Sequence, residues 1–267
     1  MAYLGSVFSN PEKISIIRLD YRKDTSLYFM KKYPKLKFNI DSNKEIEIYF
    51  SFLRDGKYRN LDREMKWAFY NPHPKLKILK NKNLSRSKRK KIIQDYVNNY
   101  YKKHLSEIRD NTLLIEKQWM KLERKFFTLV DKIFKNYPWP NGKYIAYPTI
   151  WGMYPRDIKN KILWFPFRYK TINYPIMVIA HEMLHFIFYN YLYNNNFRKY
   201  KTHKYDFKIW NISEAFNIII QNSPEWLKVF KEKCKLYPEH KKLIQKMKKI
   251  WQEKQNIDYL LKKILPK

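Results

Sequence analysis

The 267-residue sequence predicts an α+β fold, mostly helical with one small mixed sheet, and three observations carry that prediction. Residues 85–136 contain neither Pro nor Gly, and apolar positions such as Ile92, Ile93, Tyr96, Tyr100 and Tyr101 recur at helical spacing. The stretches KYIAYPTIWGMY and KILWFPFRY are aromatic and β-branched, with Pro155, Arg156, Asp157 and Asn160 between them, and read as paired strands joined by a turn. The run from Ile176 to Tyr193 is apolar on nearly every side, the pattern of a helix buried in a core.

In chain order, ISIIRL and EIEIYFSFL are short apolar stretches broken by Pro34, Asp41 and Gly56, and the alternation from Glu45 to Phe50 predicts a strand. Residues 56–84 read as irregular, because Pro72 and Pro74 disfavour both a helix interior and a central strand. Residues 1–84 are therefore expected to form an N-terminal α/β region of unspecified role, and residues 85–267 a second domain. Residues 85–136 are read as two helices that break near Asp110, Asn111 and Thr112, which would cap the second. Pro166 cannot donate to a ladder, so the strand that contains it is expected at a sheet edge. Pro175 suits a first helical turn, and the helix that follows should stop at Asn194, Asn195 and Asn196. After a polar connection over 197–209 come predicted helices over 212–221, 224–235 with Ser223 as cap, and 238–265.

Composition excludes some classes and leaves others open. Aromatics make up 18% of the chain, which rules out the low-hydrophobicity signature of disorder. The formal charge of +32 invites a nucleic-acid partner, since clustered Lys and Arg release counterions from phosphate. However, the same chain is rich in Asn, Ile, Tyr and Phe and holds only four Gly, a pattern that a coding bias toward A and T also produces. Cys234 is the single cysteine, so an intrachain disulfide and a cysteine-based metal site are excluded, and a reducing, cytoplasmic setting is the simple expectation. The first residues show no basic start followed by an apolar run, so no secretory signal is expected. No transmembrane segment is expected either: the most apolar run carries His181, Glu182 and His185 at its centre, where hydrocarbon would have to solvate them.

Those three residues carry the chemistry. In IAHEMLH, His181 and His185 stand four apart, on one face of a helix and one turn from each other, so that both rings can meet one metal ion. Glu182 lies about 100° round the helix, beside such an ion and not bonded to it, where a carboxylate can take a proton from a water. With the His and Glu content of this chain the odds of a chance match are roughly 0.7%. Two imidazoles and a carboxylate within five apolar residues would cost several kcal/mol to bury unpartnered, and a metal supplies the partner. Zinc at a hydrolytic site takes three protein ligands and an open position. Glu214, in the apolar WNISEAFNIII, is the favoured third ligand because a buried acid asks for a cation; His203 and Asp206, in the polar segment before it, remain alternatives.

HEMLH followed by SEAFN resembles the gluzincin class of zinc metallopeptidases, in which one helix carries His-Glu-x-x-His and a second supplies a glutamate ligand. The likeness covers about residues 143–222, and the compact, minimal members of the class are the closer match. It implies a zincin-like domain over 85–267, one Zn2+ held by His181, His185 and Glu214, and hydrolysis of peptide bonds through a zinc-activated water with Glu182 as general base. It also implies that a peptide or protein substrate pairs with an edge strand at Leu163, Trp164 and Phe165. Two departures stand out. In thermolysin-like members an aspartate four residues after the glutamate orients a zinc-bound histidine; here that position is Ile218, and Asn217 is the nearest substitute. The later histidine that steadies the oxyanion has no clear match; His240 and Tyr237 could replace it, or could be surface residues. Two other readings compete: a peptidase resembling those that cleave phage repressors, and a basic nucleic-acid-binding protein with a structural or inactive motif, whose aromatics would stack on bases.

Overall fold

A computed structural model describes residues 33–54, 65–195, 197–202, 204, 206–235 and 238–265, and all that follows concerns the compact unit Pro34–Lys267. The expected boundary at residue 84 does not coincide with this unit, because β1 (Leu36–Phe38) is a strand of the central sheet and pairs in parallel with β2 (Tyr144–Thr149). β2 pairs in parallel with β4 (Ile162–Pro166), which pairs antiparallel with the two-residue β3 (Arg156–Asp157), giving the order β1-β2-β4-β3. The two aromatic strands thus pair as expected, but in parallel and not as a hairpin.

β4 is consequently not an edge. Arg156 opposes Leu163, Asp157 opposes Ile162, and the Trp164 amide donates to the Pro155 carbonyl at 3.1 Å. The expected substrate strand at Leu163, Trp164 and Phe165 is therefore already occupied along its outer side through Trp164. Pro166, which suggested an edge, sits at the last position of the strand, where a missing donor costs little.

The residues read as a strand, Glu45–Phe50, lie in α1 (Ser42–Arg54). Two periods compete in EIEIYFSF. Alternation picks out Ile46, Ile48 and Phe50, whereas the helical stripe i, i+3, i+4, i+7 picks out Glu45, Ile48, Tyr49 and Phe52, and all four of the latter are buried. The stripe wins because it seats Glu45 on the end of β2: Thr149 Oγ1 and the Ile150 amide donate to Glu45 Oε2 at 2.9 and 3.1 Å. Burial pushes this carboxyl up to about 8. Residues 66–70 and 74–80 form a π-helical and a 3-10 turn.

α2 (Arg86–Phe134) runs for 49 residues with one kink, and Ser85 caps its start by accepting from the Lys88 amide. Its single non-helical residue is His104, six residues before the predicted break. No Pro or Gly explains the kink; it coincides with the entry of Arg168 between Tyr100, His104 and Glu107. The helix serves two cores. Ile93, Val97, Tyr101 and Ile108 pack with α1 and one face of the sheet, while Ile115, Trp119, Phe126 and Phe134 pack with the other face and the C-terminal helices. The sheet divides by the period of two, with Leu163 and Phe165 in one core and Trp164 in the other.

The second core is built around α3 (Asn173–Asn194), buried continuously from Pro175 to Tyr189. Pro175 lies in its first turn, as expected. Around it stand α4 (Asp206–Gln221), α5 (Pro224–Phe230), α6 (Lys241–Glu253) and α7 (Ile257–Ile264). The single helix predicted over 238–265 is split at 254–256, where Asn256 accepts from the Tyr259 amide and so caps α7. The largest fully buried side chains among the described residues are all aromatic, Trp119, Trp226, Phe186 and Phe216 among them; they serve packing. None of the described helices is long and apolar enough to cross a membrane.

Candidate metal centre

α4 lays a polar stripe against α3. Glu214, Asn217 and Gln221 are spaced three and four apart, so they share one helix face, and all three are buried. Each reaches His181 or the backbone beside it. Glu214 Oε2 lies 3.1 Å from His181 Nε2, Gln221 Oε1 lies 2.7 Å from His181 Nδ1, and Asn217 Nδ2 donates to the His181 carbonyl at 2.9 Å. Gln221 Nε2 donates to the Met177 carbonyl at 3.0 Å, which fixes its amide so that Oε1 faces the imidazole.

This network determines the state of His181. With Gln221 Oε1 as acceptor, Nδ1 carries a hydrogen, and Nε2 faces Glu214 Oε2 either with a second proton, which the raised pKa of His181 favours in the metal-free centre, or with a lone pair. Two acceptors 3.1 Å apart in a buried site repel unless a proton or a metal cation lies between them. His185 makes the same demand differently. It is fully buried, neither of its ring nitrogens has a hydrogen-bond partner among the described residues, and its Nε2 stands 3.4 Å from Glu214 Oε1 without hydrogen-bond alignment. Donors arranged tetrahedrally about an ion at zinc's usual bond lengths lie roughly 3.3 Å apart, and each imidazole stands at about that distance from one oxygen of Glu214, His181 from Oε2 at 3.1 Å and His185 from Oε1 at 3.4 Å.

One ligand atom each from His181, Glu182 and His185 also lies within 4.8 Å of the others, so this buried group could hold a metal ion. The two histidine rings are 4.9 Å apart at 74°. The expected trio His181, Glu182 and His185 is therefore brought together, with Glu214 against both imidazoles.

Arg156, which sequence reasoning placed only in a turn, enters the centre from β3. Its Nη1 is 2.9 Å from Glu214 Oε1 and 3.4 Å from Glu182 Oε2, and its side chain is 12% exposed. It governs the local electrostatics. Burial drives the Glu182 carboxyl up to about 7 against the pull of Arg156, and lowers His185 to about 3 with Arg156 assisting. Burial alone would raise Glu214 as well, but Arg156 and His185 hold it well below the usual carboxylate range. Burial alone would lower His181; Cys234, with Sγ 3.6 Å from Nδ1, and Glu214 raise it well above the ordinary imidazole value.

The remaining expected residues fall as follows. Ile218 is buried in the core, and Asn217 holds the His181 backbone, so the ring-orienting role expected of Asn217 belongs to Gln221. Gln221 stands seven residues after Glu214, two turns on along the same face, and that spacing was the legible signal. Asp206 opens α4 eight residues before Glu214, about 12 Å away along the axis, and is not in the metal-competent group. His203 and Tyr237 lie outside the described residues. His240 is not a surface residue: it is buried, its Nε2 is 2.7 Å from Asn211 Oδ1, and its ring meets Trp210 edge-on. Set against models of protein families, curated proteins and solved structures, the chain matches none of them.

Proposed function

We propose that this protein is a zinc-dependent hydrolase acting on peptide bonds, with His181, His185 and Glu214 as ligands and Glu182 as the proton carrier. The observation that carries the reading is His185, an imidazole with no exposed surface and no hydrogen bond at either nitrogen among the described residues. A bound zinc ion supplies a Lewis acid that lowers the pKa of a water toward about 7 and polarises a carbonyl. The chain supplies the rest. Gln221 keeps the hydrogen of His181 on Nδ1 and so directs the Nε2 lone pair into the centre. Glu182, whose Oε2 faces Arg156, takes up a proton at Oε1 and returns it to the leaving amine, as a base that becomes an acid must.

A competing reading is a purely structural ion-pair cluster. Arg156 favours it, since this side chain is itself a cation for the buried Glu214 and Glu182. It leaves His185 Nε2 without a hydrogen bond, and a metal ion at that nitrogen accounts for it.

The test is hydrolysis of an unfolded protein such as reduced casein, followed by mass spectrometry of new termini. Cleavage should stop with a zinc chelator and resume when zinc is restored. No cleavage by protein carrying one equivalent of zinc, or cleavage indifferent to chelation, would overturn the proposal.

A further inference from the structure

We propose that Arg156 is a tethered cation that pairs with the two carboxylates of the metal-free centre, and that a divalent ion enters by taking Glu214 Oε1 from it. The inference rests on the metal reading above. Arg156 Nη1 and His185 Nε2 face the same oxygen of Glu214, at 2.9 and 3.4 Å. The oxygen has a second lone pair, but an ion bonded to it would stand within a few Å of the guanidinium, and two cations that close in a buried site repel. Charge gives the same answer. Glu182 and Glu214 bring two negative charges, which one divalent ion balances alone; ion and Arg156 together leave the site with a surplus positive charge in surroundings that screen it poorly.

Arg156 is also the member of the cluster built to move. Its partners project from helices: His181, Glu182 and His185 from α3, and Glu214 from α4, each buried in the core. Arg156 sits on a strand of two residues, at the outer position of the sheet, within a segment over 154–162 that is half-buried or exposed throughout. Besides the two carboxylates, withdrawal of its side chain releases Tyr189, which Arg156 also meets. Two effects follow for the site. Without metal, Arg156 holds Glu214 ionised and aimed at the histidines; with metal available, it lowers affinity below that of the bare ligand set, so that loading is reversible.

The experiment is zinc titration against a chromogenic chelator, together with calorimetric melting of the metal-free proteins, on full-length wild type, R156Q and R156K. R156Q should bind zinc at least tenfold more tightly than wild type, melt at a lower temperature without metal, and recover at least the wild-type melting temperature with one equivalent of zinc. If R156Q folds only when refolded with zinc, R156K decides: it keeps the charge but loses the guanidinium Nη1 that meets both carboxylates, and should bind zinc at least threefold more tightly than wild type. Equal or weaker zinc binding by the variants, with wild type binding zinc, overturns the competition and leaves the metal reading standing. No zinc bound by wild type or by either variant sinks the metal reading and this inference with it.

Discussion

Replacing Glu182 with Gln should lower peptide hydrolysis by at least about a hundredfold while leaving zinc content at the wild-type level, which is the range a lost general base produces. Gln has the shape of Glu and keeps an oxygen for Arg156, which approaches Glu182 Oε2 at 3.4 Å, so the change removes the proton acceptor and little else. The result separates two roles that proximity alone allows. Glu182 lies within 4.8 Å of the ligand atoms of both histidines and could itself be a ligand. If E182Q loses zinc together with activity, Glu182 holds the metal and Glu214 does not suffice; if it retains activity, the proton role is wrong.

The second large effect is expected at His185, and it has opposite signs on two measurements. His185→Leu should weaken zinc binding by more than about a hundredfold, since one of three ligands is removed. The same change should stabilise the metal-free protein by roughly 1–3 kcal/mol, because an apolar side chain replaces a buried imidazole that makes no hydrogen bond among the described residues and meets Glu214 Oε1 only at 3.4 Å. For a chain of this size that is a rise of several degrees in melting temperature, at roughly 2–4 °C per kcal/mol. A core histidine kept for packing would behave otherwise: the metal-free protein would melt lower and zinc binding would be unchanged.

The histidine pair and Glu214 were legible because their signals are local and strong. Four-residue spacing on an all-apolar helix places two imidazoles together wherever that helix packs, and an isolated acid in an apolar helix must face some cation. What escaped depends on contacts distant in sequence. Arg156 reaches Glu214 across 58 positions, from a two-residue strand whose own sequence, Pro-Arg-Asp, reads only as a turn. Gln221 is seven residues after Glu214, on the same face and long enough to reach the ring, whereas the resemblance points only to the fourth residue. α1 shows the limit of periodicity in a short segment, since EIEIYFSF satisfies both the strand and the helix pattern until the fold supplies partners for Glu45. Pro166 does not make β4 an edge, because it excludes only its own amide from pairing and leaves the rest of the strand free to take β3 as neighbour.

A metal held between α3 and α4 is tested most directly by anomalous diffraction at the zinc edge, from crystals of the protein loaded with one equivalent of zinc. The predicted result is a single strong peak bonded to His181 Nε2, His185 Nε2 and Glu214 at about 2.0–2.2 Å, with Glu182 beside it and unbonded. A peak placed elsewhere, or no peak with Arg156 still bridging Glu182 and Glu214, would contradict it.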